Sequence, residues 1–332
     1  MSDGLPLLLA DVGGTNARFA LADCGAAAPL VQASIRHYAV AEFGSLADAA
    51  RHYLQATGVR ATRAVFSVAG PVLGDEVRMT NHPWVIGIDA TRTALGLGLL
   101  RVVNDFVAQA MAIRLLRQQD VRMLGAPAWQ PLARDEGTCA ILGPGTGLGV
   151  GALLVREGRT LALATEAGHV GFAPTSDEQC ALLQALARRF GHVSNERLVS
   201  GEGLVNLHQA LAERDGGPDA RGVATPADIT AGAAAGDARC RRTIALFCEV
   251  FGAVAGDTAL AFGAWNGVFL SGGVVPHLLD ALAQPGFRQH FEAKGRYREA
   301  LSRVPAAAVV HPQPGLLGAA AMACDIARGV AA

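Results

Sequence analysis

The chain has 332 residues, of which 51% are hydrophobic, and its formal net charge is −1 at pH 7, so nothing indicates nucleic acid or an anionic membrane as a partner. This length allows one large domain or two domains of ordinary size. The one lysine, Lys294, has no glycine loop around it, which excludes P-loop enzymes and protein kinases, because each needs a lysine on the nucleotide phosphates.

The first predicted elements form a β-hairpin. The apolar run of residues 5–12 turns on Gly13-Gly14-Thr15 and continues into a second apolar stretch, residues 17–23. Residues 34–40 predict a third strand. A helix is predicted over residues 45–58, because Ser45 is a good N-cap and Gly58 a good end.

Strands and helices alternate along the rest of the chain. We expect a strand over residues 63–72, a helix near 91–99, a strand over 101–106 and a helix over 106–119. Residues 137–169 then read as strand, glycine turn, strand, turn and strand. A further strand is expected within residues 267–275, and the remaining predicted helices cover residues 177–190, 203–213, 225–235, 237–262 and 314–329.

Two stretches of the chain share one plan. Asp11 to Asp23 and Leu142 to Val155 each contain an apolar strand, a small-residue turn with a threonine, and a second apolar strand. This repetition predicts two similar α/β halves that face each other. Sites in such folds lie at the carboxyl ends of strands, commonly in the cleft between the halves.

The two glycine turns are candidates for phosphate binding. Gly147, Gly149 and Ala152 loosely fit a dinucleotide fingerprint, but they lead into a strand, whereas that fingerprint opens a helix. Backbone N–H groups without nearby Cβ atoms can instead form an anion-binding nest. Asp11 would face the same space and suits a magnesium ion or its water shell. The alternative is that both turns are ordinary hairpins.

The six cysteines are scattered and form no C-x-x-C pair. We therefore expect six unpaired, buried thiols in a reducing cytoplasm, with no structural zinc. No uninterrupted apolar stretch reaches the ~18–20 residues that span a bilayer. The N-terminus lacks a basic segment of the kind that precedes a secretion signal, so no signal peptide is expected.

Longer motifs make the chain resemble a known family. In order they are ADVGGTNARFAL, TNHPW, VNDF, GPGTGLG, TEAGHVGFAP, GHVSNERLVSGEGLVN, FLSGG and PGLLGAA. Together they resemble the bacterial glucokinases that are distinct from the ROK family. The resemblance implies two ribonuclease-H-like (actin-like ATPase) α/β domains, with mixed sheets flanked by helices and a ligand cleft between them. It implies a small domain of residues 1–114 plus 306–332 and a large domain of residues 115–305.

The resemblance also implies the site residues. Asp105 would be the general base, and it would contact the sugar together with Asn104, Glu166, His169 and Glu196. Phosphate contacts would come from Asp11, Gly13, Gly14, Thr15, Asn16, Gly143, Gly145, Thr146 and Gly147, and adenosine contacts from Gly272 and Gly273. Mg²⁺ would have no direct protein ligand, with Asp11 as an outer-shell carboxylate.

Four of the predicted sugar-site residues have a plainer alternative. Asn104 or Asp105 could simply cap the helix that follows. His169 could be a loop histidine, and Glu196 a solvated carboxylate at a helix end. The roles of Asn81, His82 and Trp84 in TNHPW stay open, because a proline turn with a packed tryptophan explains them equally well.

The implied activity is that of a cytoplasmic, homodimeric glucokinase, which transfers the γ-phosphoryl group of Mg-ATP to the 6-hydroxyl of D-glucose and yields glucose 6-phosphate and ADP. The alternatives are a kinase for mannose, fructose or an N-acetylhexosamine, a non-catalytic sugar sensor, and an actin- or Hsp70-like ATPase. The chain departs from the family at Glu202, where relatives usually have proline, and lacks the cysteine-rich zinc motif of ROK proteins.

Overall fold

A computed structural model describes residues 6–79, 82–132, 136–215 and 225–329. Its strands are β1 (Leu7–Val12), β2 (Asn16–Ala22), β3 (Arg36–Ala39), β4 (Arg63–Val68), β5 (Val72–Leu73), β6 (Glu76–Arg78), β7 (Val85–Gly87), β8 (Leu99–Asn104), β9 (Val121–Met123), β10 (Glu136–Pro144), β11 (Leu148–Arg156), β12 (Arg159–Thr165), β13 (Val268–Leu270) and β14 (Ala306–Val309). Its helices are α1 (Leu46–Thr57), α2 (Ile88–Ala94), α3 (Asp105–Ala112), α4 (Asp177–Phe190), α5 (Gly201–Arg214), α6 (Pro226–Ala234), α7 (Ala238–Phe262), α8 (Leu279–Leu282), α9 (Pro285–Glu292), α10 (Arg298–Ser302) and α11 (Pro314–Ala327).

Two mixed sheets share one topology. The first has the strand order β3-β2-β1-β4-β8, and the second has the order β12-β11-β10-β13-β14-β9. In each sheet, three antiparallel strands joined by hairpins are followed by two strands that run parallel to the first of them. The predicted pair of similar α/β halves is therefore confirmed. A small antiparallel sheet, β5-β6-β7, lies beside the first half.

Helices α3 and α11 lie between the two sheets. One apolar core joins residues of β1, β4 and β8 to both helices and to the inner face of β10, β11 and β13. Small residues allow this close packing: an added Cβ at Gly318 of α11 would overlap the Ala108 carbonyl of α3. The outer face of the first sheet packs on α1, and that of the second sheet packs on α4, α5 and α7.

Most helix ends follow from local chemistry. Ser45 caps α1 by accepting a hydrogen bond from the Asp48 N–H, and Gly58 ends the helix with φ 68°. Helix α3 ends at Ala112, not near residue 119, and a 3₁₀ turn follows at Gln118–Asp120. In that turn the Asp120 carboxylate accepts the Arg117 N–H at 2.9 Å, so a local side-chain bond replaces a helical one.

The expected domain boundary differs from the sheets at one point. Strand β14 pairs with β13 and β9, so residues 306–309 lie in the second sheet, whereas we expected them with the first half. Helix α11, which follows, packs on α3 and on β1 and β4 of the first half. The chain therefore passes from the second half back to the first half after Val309.

The expectation of six unpaired, buried thiols is wrong. Cys24, just after β2, forms a disulfide with Cys324 in the last turn of α11, and their Cα atoms are 5.1 Å apart. The two residues are 300 positions apart and meet only because α11 packs on the first sheet, which no cysteine spacing reveals. Of the others, Cys180 is exposed, and Cys139, Cys240 and Cys248 are buried. The cysteine pattern no longer supports the expected reducing compartment.

One helix bears on the expectation that no stretch of the chain spans a membrane. Among the described residues one helix, α7, is long and apolar enough to cross a bilayer by length and composition. However, 67% of its apolar window is buried inside the protein, where it packs on α5, α6 and α9. Helix α7 therefore serves here as a core helix of the second half.

Candidate active site

The first glycine turn joins β1 to β2. The Gly13 N–H donates to the Asn16 carbonyl at 2.9 Å, which closes the hairpin and leaves Thr15 exposed at its tip. Asp11, one residue before the end of β1, accepts hydrogen bonds of 3.2 Å from the Arg18 guanidinium and from the Ser67 hydroxyl. Burial raises the pKa of Asp11, and the two partners oppose that rise.

The second glycine turn joins β10 to β11. The Gly145 N–H donates to the Gly147 carbonyl at 2.8 Å, and the Gly145 carbonyl accepts the N–H of Gly201 at the start of α5. Glu196 is held against this turn, because its Oε2 atom accepts the Leu148 N–H at 2.9 Å. An added Cβ at Gly147 would overlap that same carboxylate. The turn therefore needs glycine in order to approach Glu196.

Asn104 and Asp105 stand where β8 ends and α3 begins. Asn104 is the N-cap: its Oδ1 accepts the Phe106 N–H at 2.8 Å, and its Nδ2 donates to the Gly70 carbonyl at 3.3 Å. Asp105 is the first helical residue, and its Oδ1 accepts the same Phe106 N–H at 3.1 Å. The capping alternative is thus correct for Asn104, and it fixes the entry to α3.

The pKa of Asp105 is strongly perturbed. Burial contributes most, and the Asp11 carboxylate next, so that the pKa of Asp105 rises to about 7, while hydrogen bonds from nearby N–H groups oppose the rise. A partly buried carboxyl with a pKa near 7 in a cleft is characteristic of a catalytic acid or base.

Three further polar side chains converge beyond the second turn. His169 Nδ1 lies 3.9 Å from Glu196 Oε1, and His169 Nε2 lies 4.0 Å from Glu166 Oε2. The loop that carries His169 is tied to the one that carries Glu196 by a Gly171–Ser194 bridge. Glu166 and His169 are exposed, whereas the Glu196 side chain is 28% exposed and bonded, so it is not a freely solvated carboxylate.

A cavity of about 300 Å³ joins these groups at the meeting point of the two halves. It is lined by predicted sugar and phosphate residues from both sheets, namely Gly13, Gly14, Asn104, Asp105, Gly143, Gly145, Thr146, Gly147, Glu166, His169 and Glu196. Thr15 and Asn16 are exposed at the first hairpin and do not line this cavity.

A second cavity, of about 520 Å³, is lined by three more of the predicted nucleotide residues, Asp11, Gly272 and Gly273. Gly272 has φ 92°, and an added Cβ there would lie 2.6 Å from the Pro144 carbonyl, so glycine is required after β13. Thr15 and Asn16 do not line this cavity either.

The sequence reasoning missed Arg18, which lines the second cavity. Arg18 stands directly opposite Asp11 in the β1–β2 ladder, and its buried Nε has no hydrogen-bond partner among the described residues. The segment GGTNAR could have indicated this residue, because a hairpin closed at the glycines pairs Arg18 with Asp11 on the opposite strand. Arg18 thus places a guanidinium in the second cavity, paired with the Asp11 carboxylate.

The chain is similar to known proteins over nearly its whole length. The family model described as Glucokinase matches residues 8–326. A glucokinase of Xanthomonas campestris pv. campestris (strain 8004) is 56% identical over 329 residues, which are 98% of this chain and 97% of that protein. A glucokinase of Stenotrophomonas maltophilia (strain K279a) is 55% identical over 331 residues, 98% of each chain. The chain belongs to the glucokinase family.

Solved structures of other glucokinases have a similar fold. A glucokinase from an Antarctic psychrotroph superposes with a TM-score of 0.86 at 34% identity, over 96% of this chain and 98% of that one. A ROK-family glucokinase of Streptomyces griseus, solved with glucose and AMPPNP, has a TM-score of 0.63 at 21% identity, over 98% and 99% of the two chains. That likeness extends to the fold alone. The resemblance to the glucokinases that are distinct from the ROK family is therefore confirmed.

Two features noted in the sequence, the departure at Glu202 and the TNHPW motif, now have structural positions in this glucokinase-family chain. Glu202 lies in the first turn of α5, where a carboxylate suits the helix N-terminus, and it pairs with Arg197 at 3.4 Å on the surface. Trp84 is buried and makes a T-shaped contact with the His82 ring, which agrees with a proline turn and a packed tryptophan. Asn81 lies outside the described residues.

Proposed function

We propose that this chain transfers the γ-phosphoryl group of Mg-ATP to the 6-hydroxyl of D-glucose, with Asp105 as the general base. The observation that carries the proposal is the single cavity that joins the Asp105 carboxyl to the glycine turns of both halves. A base beside an anion-binding turn is what phosphoryl transfer to an alcohol requires. The names of the relatives that share over half of its residues support glucose as the acceptor.

The polar groups around the cavity suit a hexose. Each sugar hydroxyl is both a donor and an acceptor, and here Glu166 and Glu196 accept, whereas Asn104 and neutral His169 can do both. Hydrogen bonds to carboxylates are about twice as strong as neutral ones. A sugar with one hydroxyl inverted would leave such a carboxylate unpaired, and this is how the site would select glucose.

The phosphates would lie against the two hairpins. Because Gly13, Gly14 and the glycines of the turn from Gly143 to Gly147 have no side chains, a phosphate could come close to the backbone there, with the exposed Thr146 beside it. Arg18 adds a fixed positive charge in the adjoining cavity, where Gly272 and Gly273 would contact the adenosine. Together these groups replace the lysine of other phosphate-binding loops.

Asp105 would act in its ionised form. It would accept the proton of the sugar hydroxyl as that oxygen attacks the γ-phosphorus, and the oxygen bridging the β- and γ-phosphates would leave with ADP. A base with a pKa near 7 is half ionised at neutral pH and returns the proton readily. The helical cap at Asn104 would keep the carboxyl in a fixed direction.

The residues present fit a magnesium ion that is held mainly by ATP. Among the described residues there is no cluster of three or more histidine, cysteine, aspartate or glutamate side chains that could hold a metal by itself. Mg²⁺ in phosphoryl transfer keeps several waters and is held largely by substrate phosphates, so Asp11 would act on it through bound water as an outer-shell carboxylate. When bound, the ion neutralises charge on the phosphate oxygens.

The division of the chain supports closure around the sugar. We propose a small domain of residues 1–114 with α11 and a large domain between them, with the second boundary after Val309. Closing the two halves would exclude water and limit ATP hydrolysis. The homodimer and the cytoplasmic location implied by the resemblance stay predictions.

A coupled assay for ADP release tests the proposal. Glucose, mannose, fructose and N-acetylglucosamine are compared with a blank that contains no sugar, each with Mg-ATP. We expect rapid turnover on glucose and none in the blank. Turnover mainly on another sugar would overturn the substrate, ATP loss in the blank would indicate an ATPase, and glucose binding without turnover would indicate a sensor.

A further inference from the structure

The ring of Phe106, a residue of the first half, packs against the second glycine hairpin in the other half. Phe106 is the second residue of α3, and it is buried. An added Cβ at Gly143 would lie 2.6 Å from the ring's Cζ atom, and one at Gly149 would overlap the ring edge. These two glycines are directly opposite each other in the β10–β11 ladder. The ring therefore packs on a pair of positions where neither strand has a side chain.

The backbone of the same residue holds the catalytic side chains. The Phe106 N–H donates to Asn104 Oδ1 at 2.8 Å and to Asp105 Oδ1 at 3.1 Å. An added Cβ at Gly151, two residues along β11, would lie 3.2 Å from the Phe106 carbonyl. Since ring and backbone both fit against the hairpin, a displaced ring would move the Asp105 carboxyl with it.

We propose that Phe106, packed on the Gly143–Gly149 pair, is a positioning residue that sets the distance between the Asp105 carboxyl and the phosphate-binding hairpin. The proposal rests on the proposed function, in which those two elements hold the base and the phosphates. Base and phosphate come from different halves, so their spacing needs a rigid contact across the cleft. Misplacement by about 1 Å costs on the order of 100-fold in rate.

A reciprocal pair of substitutions separates positioning from ordinary packing. Gly149→Ala puts a methyl group where the ring lies, and Phe106→Val removes the ring. We expect Gly149→Ala to lower kcat by about 100-fold and Phe106→Val by about tenfold, with the KM for glucose changed less than about threefold. The double variant removes the overlap, so we expect its kcat to be at least about tenfold above that of Gly149→Ala.

Gly137→Ala is the matched control. Gly137 lies at the other end of β10, where an added Cβ would also meet a side chain, Leu132 Cδ2 at 2.6 Å, and it does not line the cavity. It should keep the wild-type kcat and pH profile even if it unfolds at a lower temperature. Folding of every variant is checked by calorimetric titration with glucose.

The outcomes are distinct. Losses that simply multiply in the double variant would overturn the positioning role, because the two sites would then act independently. Should Gly149→Ala fail to fold, Phe106→Val decides alone: a wild-type kcat with an unchanged pH profile would overturn the role, and a tenfold loss at constant glucose KM would support it. Absence of glucose turnover in the wild type would instead contradict the proposed function.

Discussion

Replacement of Asp105 by asparagine should abolish activity and yet stabilise the folded protein. The reason is the raised pKa of Asp105, which burial and then the Asp11 carboxylate lift to about 7. In the unfolded chain this carboxyl ionises near its ordinary pKa of about 4. In the folded protein, burial therefore destabilises the ionised form of Asp105. Asparagine never ionises, so it does not carry this cost.

The sign of the pH dependence follows from proton binding. Between about pH 4 and pH 7 the folded state keeps the Asp105 proton and the unfolded chain releases it, so rising pH favours unfolding over this range. Each pH unit is worth about 1.4 kcal/mol, which gives a total near 4 kcal/mol. Asp105→Asn should thus raise the free energy of unfolding by about 2 kcal/mol at pH 5.5 and by about 4 kcal/mol at pH 8.

Equilibrium unfolding in urea, followed by tryptophan fluorescence at both pH values, measures this difference. Asp48→Asn is the control with the opposite sign. A hydrogen bond from the Ser45 hydroxyl, and then one from Arg51, lower the pKa of Asp48, so its substitution should reduce stability at pH 8. An Asp105→Asn variant with unchanged stability, or with a gain that does not grow with pH, would refute the reasoning.

Three further predictions concern separate parts of the molecule. Glu196→Gln should raise the KM for glucose about tenfold, because the carboxylate that Leu148 N–H orients is lost; an unchanged KM in steady-state assays would remove Glu196 from the sugar site. Arg18→Met should lower kcat/KM for ATP by at least about tenfold, because a cation beside the phosphates and Asp11 is lost. A roughly tenfold weaker binding of glucose with an unchanged kcat/KM for ATP would contradict this. Cys24→Ser, which breaks the disulfide, should lower the free energy of unfolding by about 2–5 kcal/mol without reductant and leave it unchanged in dithiothreitol; equal stabilities without reductant would show that the bond does not form in solution.

The repeated strand–turn–strand pattern predicted the two halves well. Apolar runs around Gly13-Gly14 and around Gly145 to Gly147 carry a strong local signal, since a hairpin is decided by neighbouring residues. The caps at Ser45 and Asn104 were equally local. Such features need no knowledge of the rest of the fold.

Long-range features could not be predicted from local sequence patterns, for a physical reason. The Cys24–Cys324 bond and the membership of β14 in the second sheet depend on which elements meet, and nothing near those residues in sequence records this. The position of Glu196 against the second turn is similar, because it joins segments about fifty residues apart. The resemblance to a family supplied what local patterns lacked, namely which scattered polar residues share one site.

One measurement tests the central claim most directly. Wild-type protein and Asp105→Asn are incubated with Mg-ATP and glucose, and the products are followed by phosphorus and proton NMR. We predict that wild type moves the γ-phosphorus onto the C6 oxygen of glucose, and that Asp105→Asn still binds glucose but transfers the phosphoryl group at least about a thousandfold more slowly. Transfer at the wild-type rate in the variant, or phosphorus released as inorganic phosphate, would contradict the assignment of Asp105 as the base of a glucose kinase.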